Sequence, residues 1–434
     1  MNCSNDIKLL YMNRIIIVGN GFDLAHQLAT KYEDFINWYW EEWGHSLSTS
    51  MKRNLTDGLC SFRLKKGVEL AGWYYVWGWH YHISTRDYPL QDLVKQAKTD
   101  TEVCNFDMHS IFFTEICKSI EEKGWVDIEA EYYRMLNSVY LSSPQKLNEE
   151  FAIVRTKLIE YLTSIQDSNI NDSIVNQATR ECMMAPFCEK EISIEGRDKW
   201  VNFLKSRIED EDLSGIIKLY EKSDVRERVA DISNFKKKWQ DQIDNIGIES
   251  IEENKLPSEM LYPDRIMLLN FNYTKTADMY MPVDEYHFPV NHIHGHLDNP
   301  DSVIFGYGDD KDDKYQEISK LNNNELLTNI KSFRYLEDSC FKDTLTFIAS
   351  APYQVYIMGH SCGVSDRTLL NTLFEHPNCV SIKPFYYKNG EGQDNYIEIV
   401  QNISRNFSDA QKMRDRVVNK TFCQLLPQRI VSNE

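Results

Sequence analysis

Apolar positions in this chain follow two rhythms. The first is continuous. In Arg14-Ile15-Ile16-Ile17-Val18 neighbouring side chains are apolar and β-branched, which suits a strand buried on both faces of a parallel sheet. Runs of this kind return at Arg265–Leu269, Val290–Ile293, Val303–Phe305, Gln354–Met358 and Cys379–Phe385. Between them, from Tyr32 to Ile251, the spacing is helical, as in Leu147–Leu162 and Trp200–Leu219. Polar stretches at Gln166–Asn176 and Glu249–Asn254 read as loops, and no internal repeat is found. The pattern predicts one α/β domain split by an insertion: a first βα unit over 12–31, a mainly helical insertion over 32–255, the rest of the domain over 256–390, and a helical C-terminal segment over 391–434. Three sequential domains would leave the first strand without a sheet. Met1–Tyr11 reads as a tail or a start-site extension ahead of Met12.

Composition narrows the class. The 434 residues are 42% apolar and 12% aromatic, enough for a packed core. A formal charge of −18 argues against a general nucleic-acid binder, which needs a basic footprint. A small anion is still compatible, since backbone N–H groups hold phosphate whatever the net charge. None of the 10 cysteines has C-x-x-C spacing, which speaks against a zinc ribbon. Met1–Tyr11 lacks the apolar region of a secretory signal, so the expectation is a cytoplasmic protein with reduced thiols. No 18-residue uncharged apolar run occurs, so no membrane span is expected.

The first strand runs into Gly19-Asn20-Gly21, then Phe22-Asp23-Leu24 at the opening of a helix. Glycines there allow φ > 0 and close backbone approach, and a helix N-terminus offers N–H groups to a phosphate. A dinucleotide fingerprint wants a third glycine where Leu24 stands, so phosphate binding and a plain tight turn both stay open. Asp23 also suits a first-turn dipole partner. Asn270-Phe271-Asn272-Tyr273-Thr274 follows the second run, at the sheet edge where open α/β folds bind ligands. Asn272 could serve there or cap a helix beginning near Lys275.

His292, His294 and His296 alternate, which raises a metal site, although Gly295 breaks the strand before His296. His294 is the strongest functional candidate of the three. Gly359-His360-Ser361-Cys362-Gly363 spells a nucleophile elbow, but the only downstream histidine is His376. The 15-position step from Ser361 to His376 cannot carry the strands that would bring an acid and a histidine to the serine. The esterase reading therefore fails, leaving a turn able to bond a ribose or phosphate. Asp127, Glu129 and Glu131 suit a solvated face, with Glu129 the one able to enter a cleft. Phe305-Gly306-Tyr307-Gly308 is a glycine turn of functional or geometric use.

Taken together, Val18–Leu24 with Leu28-Ala29-Thr30-Lys31-Tyr32-Glu33-Asp34-Phe35, Trp125–Glu129, Asn270–Thr274, His294-Gly295-His296, Phe305-Gly306 and Gly359–Asp366 resemble, in order, the AbiH family of bacteriophage abortive-infection proteins. The same blocks are similar, more distantly, to the sirtuin-like NAD-binding fold. That resemblance implies a Rossmann-like parallel sheet of sirtuin-like topology with NAD as substrate or ligand. Carried over by position, Gly19 and Gly21 would meet the pyrophosphate, with Asn20, Phe22, Asp23, Thr30 and Asn270 in the surrounding turns. Asn272 and His294 would meet the nicotinamide ribose, and Gly359, Ser361 and Asp366 the adenosine end. Thr274, Asn270 and Asn20 depart from the sirtuin-like pattern, and the zinc cysteines of deacetylating sirtuins are absent, which disfavours deacetylation.

The expectation is an antiphage protein that cleaves NAD to nicotinamide and ADP-ribose. Asn272 would orient water or ribose hydroxyls, His294 would act as general base, and Asp23 or Glu129 would supply negative field. The alternatives are a nucleotide-binding phage sensor without catalysis and a metal-dependent hydrolase. No resident metal is expected on the leading reading. A phage-derived activator fits it, and a homo-oligomer stays open.

Overall fold

The computed structural model describes residues 12–49, 54–65, 104–123, 126–138, 143–209, 261–280 and 290–429. Its strands are β1 (Asn13–Val18), β2 (Asn54–Thr56), β3 (Cys60–Leu64), β4 (Cys104–Met108), β5 (Ile266–Asn270), β6 (Asn291–His292), β7 (Tyr353–Met358) and β8 (Cys379–Phe385). The helices are α1 (Asn20–Ala25), α2 (Tyr32–Thr49), α3 (Ile111–Lys123), α4 (Ile128–Leu136), α5 (Pro144–Asn169), α6 (Gln177–Met183), α7 (Ile194–Glu209), α8 (Asp313–Ser319), α9 (Lys331–Arg334), α10 (Cys340–Ser350), α11 (Arg367–Glu375), α12 (Tyr396–Arg405) and α13 (Ala410–Arg416).

Five strands form one parallel sheet in the order β6-β5-β1-β7-β8. The chain therefore winds outward from β1 in one direction, returns, and winds outward in the other. The reversal lies between β1 and β7, where open α/β sheets leave a crevice beyond the strand ends. Val18 pairs with both Asn270 and Met358, so the segments after β1, β5 and β7 leave the sheet at one level. Both faces are covered, which explains the continuous apolar runs. Ile15, Ile17, Met267, Leu269, Val355 and Ile357 pack into a core with side chains of α10, α11 and α12. Ile16, Val18, Leu268 and Tyr356 pack the other face against Phe22, Ala25 and Met183.

A second core joins α2, α3, α4 and α5 with β3 and with apolar side chains between Leu297 and Ile330. Residues 32–255 also hold an antiparallel sheet, β2-β3-β4, beside the helices that the periodicity indicates. Its first hairpin turns at Asp57-Gly58, where Gly58 has φ +88° and Asp57 Oδ1 accepts from the N–H groups of Leu59 and Cys60. Residues 183–193 lie against the main sheet. Ser193 N–H donates to the Val380 carbonyl (2.8 Å), and buried Arg14 donates to the carbonyls of Met183 and Ala185 (2.9 and 2.6 Å). Arg14 also bonds Gln354 Oε1 and lies over the rings of Phe187 and Tyr356, which places its charge at the start of an apolar run, with only its Nε left without a hydrogen-bond partner among the described residues.

Several sequence expectations need correction. Val303–Phe305 is not a strand. Its three side chains are apolar because the segment runs between two cores, with Val303 and Phe305 facing one and Ile304 the other. α5 extends to Asn169, into the stretch read as a loop, and a 3-10 turn follows at Asp172–Ile174. No α-helix begins near Lys275, where a 3-10 turn spans Ala277–Tyr280 instead. The second half of Trp200–Leu219, the stretch Glu249–Asn254, Trp125 and Met1–Tyr11 lie outside the described residues. Among the described residues, no helix is long and apolar enough to cross a membrane.

Candidate functional site

A buried cluster of charged and ring side chains lies at the carboxyl edge of the sheet, beside the winding reversal. Asp366 is at its centre, in the turn that leads from β7 into α11. Its Oδ1 lies 2.8 Å from Lys331 Nζ and 3.2 Å from His294 Nε2, and its Oδ2 lies 3.6 Å from His360 Nε2. Lys331 Nζ also reaches Glu129 Oε2 at 3.0 Å, and its side chain is wholly inaccessible to solvent. Glu129 Oε1 accepts from the Gly306 N–H (2.9 Å). One ammonium group thus joins a carboxylate of the inserted α4 to a carboxylate of the main sheet.

The tautomers follow from the partners. His360 Nδ1 accepts from the Cys362 N–H (2.9 Å), so its proton sits on Nε2, facing Asp366. A lone pair on His294 Nε2 would be repelled by the carboxylate 3.2 Å away, so that nitrogen also carries the proton. The same atom is 3.1 Å from the Tyr335 hydroxyl. Nδ1 of His294 has no hydrogen-bond partner among the described residues. The Phe271 ring lies against both imidazoles, with centroids 5.0 Å from His294 and 4.3 Å from His360.

The charge states diverge although all these groups are buried. Burial by itself would raise Asp366, but Lys331, His294 and His360 together hold it well below the usual carboxylate range. Burial raises Glu129 to about 7, because Lys331 lowers it less than burial, Asp366 and Asp127 raise it. Burial and the Lys331 charge lower His294 to about 4, leaving a neutral ring near neutral pH. Burial alone would lower Lys331, yet the two carboxylates raise it well above its ordinary value.

Asp23 forms a neighbouring, separate group. It is buried beneath the glycine turn, where Thr274 Oγ1 donates to its Oδ2 (2.6 Å) and its Oδ1 has no partner. Burial raises it to about 6, against the lowering effect of Thr274, Thr276 and Asn272. It stands in the first turn of α1, as a dipole partner would, but as a buried group. Asn272 is not a helix cap: its Nδ2 donates to the Gly19 carbonyl (3.0 Å). Asn270 is spent on its own turn, accepting from the Asn272 N–H and donating to the Thr274 carbonyl. Thr30 Oγ1 donates to Asn20 Oδ1 (2.5 Å).

The glycine turn serves close packing and not positive φ. Gly19 is extended, at φ −133°, and a Cβ on it would lie 2.5 Å from His360 Cα. Gly19 N–H donates to the Met358 carbonyl and Gly21 N–H to the Gly359 carbonyl (3.3 and 2.7 Å). Gly359 is the residue in the left-handed region, at φ +78°. Phe22 is buried in the core of the sheet face, and Ser361 is exposed, its carbonyl accepting from Asn402 Nδ2.

The structure thus brings His294 and Asp366 together with Gly19 against the neighbouring His360, leaves Asn272 one step out through its bond to Gly19, and gives Ser361, Phe22 and Thr30 other partners. The three alternating histidines do not converge. His292 faces Asp278 (3.0 Å) and packs beside His296, because Gly295 at φ +76° turns the chain between them. Among the described residues no group of three or more His, Cys, Asp or Glu could hold a metal ion. Of the acidic trio, Asp127 caps α4 and Glu131 pairs with Arg134 at the surface, while Glu129 turns inward. Lys331 and His360 were not identified from sequence. Lys331 stands in the mixed stretch Lys331-Ser332-Phe333-Arg334, where nothing marks the lysine as the buried residue.

The sequence matches the family described as bacteriophage abortive infection AbiH over residues 15–387, a span that includes every residue of this cluster. No curated protein matches the chain, and no solved structure does.

Proposed function

Since the chain belongs to the AbiH family of bacteriophage abortive-infection proteins, we propose that it protects against phage by hydrolysing NAD at the nicotinamide–ribose bond. The observation that carries this reading is the buried contact between His294 and Asp366, 3.2 Å apart at the sheet edge beside the winding reversal. Cleavage of an N-glycosidic bond passes through a sugar with positive charge at C1′, which a fixed buried carboxylate stabilises. The bonding pair of the C1′–N bond leaves with nicotinamide, which departs neutral. A water oxygen forms the new bond to C1′, and its proton passes to His294 Nδ1. Asp366 stabilises the imidazolium that results.

Asn272, held by Gly19, offers its carbonyl oxygen to water or a ribose hydroxyl. Glu129, facing the same ammonium group as Asp366, would add negative field to that pair as it ionises around pH 7. The described residues suit the ribosyl end of NAD better than its pyrophosphate, since the N–H groups of Gly19 and Gly21 are taken by β7 and its turn.

Nicotinamide release by the purified chain, alone and with phage lysate, is the direct test. His294→Ala and Asp366→Asn should each lower turnover at least about 100-fold, in the range of a lost acid–base group, and abolish protection. No release under either condition, with full protection by His294→Ala, would sink the reading. The internal pairing of Lys331 and Asn270, which leaves neither free for a chemical step, favours a second reading, a nucleotide sensor without chemistry. That reading requires NAD-induced stabilisation in the absence of any nicotinamide release.

A further inference from the structure

Asp366 and Glu129 are two carboxylates in one solvent-poor volume, with two imidazoles beside them. A buried carboxylate needs a cation or a proton. If no other cation were present, His294 would be the nearest group able to become one, and an imidazolium has no lone pair with which to accept a proton. Lys331 removes that demand. Its ammonium lies 2.8 Å from Asp366 and 3.0 Å from Glu129, with no solvent exposure to weaken either contact. It also disfavours a second positive charge on the neighbouring ring.

We propose that Lys331 is a positioning residue: by supplying the cation between Glu129 and Asp366 it keeps His294 neutral, with its proton on Nε2 and Nδ1 open to a proton from water. The inference rests on the reading of His294 as the base in N-glycosidic hydrolysis. The other groups facing this pair are consistent with it. Tyr335, Tyr273 and Tyr32 are all raised by burial and stay neutral hydroxyls. Asp127 is occupied in capping α4, and His360 directs its N–H at Asp366. Glu129 comes from the inserted segment, so that segment bears on the base through the ammonium group it shares with Asp366.

The test is a histidine titration that needs no turnover. In the full chain labelled with ¹⁵N-histidine, the His294 signals are assigned by their loss in His294→Gln. The wild type should show a neutral ring protonated on Nε2 across about pH 5–8. Lys331→Met should raise the protonation midpoint of His294 by at least about one pH unit, a tenfold gain in proton affinity, and Lys331→Arg should reverse most of that change. Should Lys331→Met fail to fold, Lys331→Met combined with Glu129→Gln removes the carboxylate stranded by the lost cation, and the same rise is expected. An unchanged midpoint and tautomer in these variants would overturn the proposal. In parallel, the acid limb of the kcat–pH profile for nicotinamide release by Lys331→Met should move to higher pH by the same shift as the His294 midpoint, with KM within about twofold. If the wild type releases no nicotinamide, the NAD reading fails, and the titration still decides the role of Lys331.

Discussion

Asp23 and Asp366 are both buried aspartates a few residues beyond a strand of the same sheet, yet their carboxyl groups are perturbed in opposite directions. The difference lies in the donors. Asp366 faces an ammonium group and two imidazole N–H groups, while Asp23 has hydroxyl and amide neighbours and one oxygen with no partner. Raising Asp23 from 3.8 to about 6 means that its stabilising contribution is complete below pH 3.8 and is lost as pH climbs through about 6. Asp23→Asn cannot ionise, so its stability relative to wild type should improve between pH 5 and 8 by roughly 1.5 kcal/mol, about half of what the whole shift is worth. Urea unfolding at the two pH values measures this; parallel curves for the two proteins would count against the raised value. Sequence alone places Asp23, Asn272, His294 and Asp366 near the sheet edge, since each follows an apolar run. It does not distinguish the carboxylate with a cation beside it from the one without.

At the scale of elements, the continuous apolar runs identify β1, β5, β7 and β8, because burial on both faces demands apolar side chains on both. The same argument misreads Val303–Phe305, where two faces are buried against two different cores without strand pairing. It also misses β2, β3 and β4, whose shorter alternating pattern lies within a segment dominated by helical spacing. The junction of β1 and β7 depends on backbone approach. A Cβ on Gly359 would lie 2.0 Å from the Phe22 nitrogen, at a φ of +78° that disfavours any side chain. Gly359→Ala should therefore destabilise the fold by at least about 2 kcal/mol through strain and displacement of the glycine turn. Thermal unfolding reads this directly, and a loss below about 0.5 kcal/mol would show that the turn can separate from β7 at little cost.

For the whole molecule, the inserted segment and the sheet domain share their interiors. Leu297, Val303, Phe305, Tyr307, Ile318, Leu326 and Ile330 follow β6 in the chain but belong to the core of the insertion. Replacing 32–255 with a short linker would expose these seven side chains, a loss of roughly 10 kcal/mol or more, comparable with the whole stability of an ordinary domain. It would also strip Met183 from one face of the sheet and Glu129 from Lys331. The deleted protein should bind a hydrophobic dye and show no cooperative unfolding; a sharp transition would mean that the sheet domain stands alone. The sequence by itself determined the parallel α/β class, the family and the sheet edge that carries polar motifs. Each of these is written in neighbouring residues, as apolar spacing or as short ordered blocks. Tertiary structure decided which polar residues meet. Lys331 and Glu129 are 202 positions apart, and their contact depends on the folding of the inserted segment against the sheet. It decided as well that the glycine turn rests against His360 and Gly359, because no local spacing encodes which backbone comes within reach of a missing side chain.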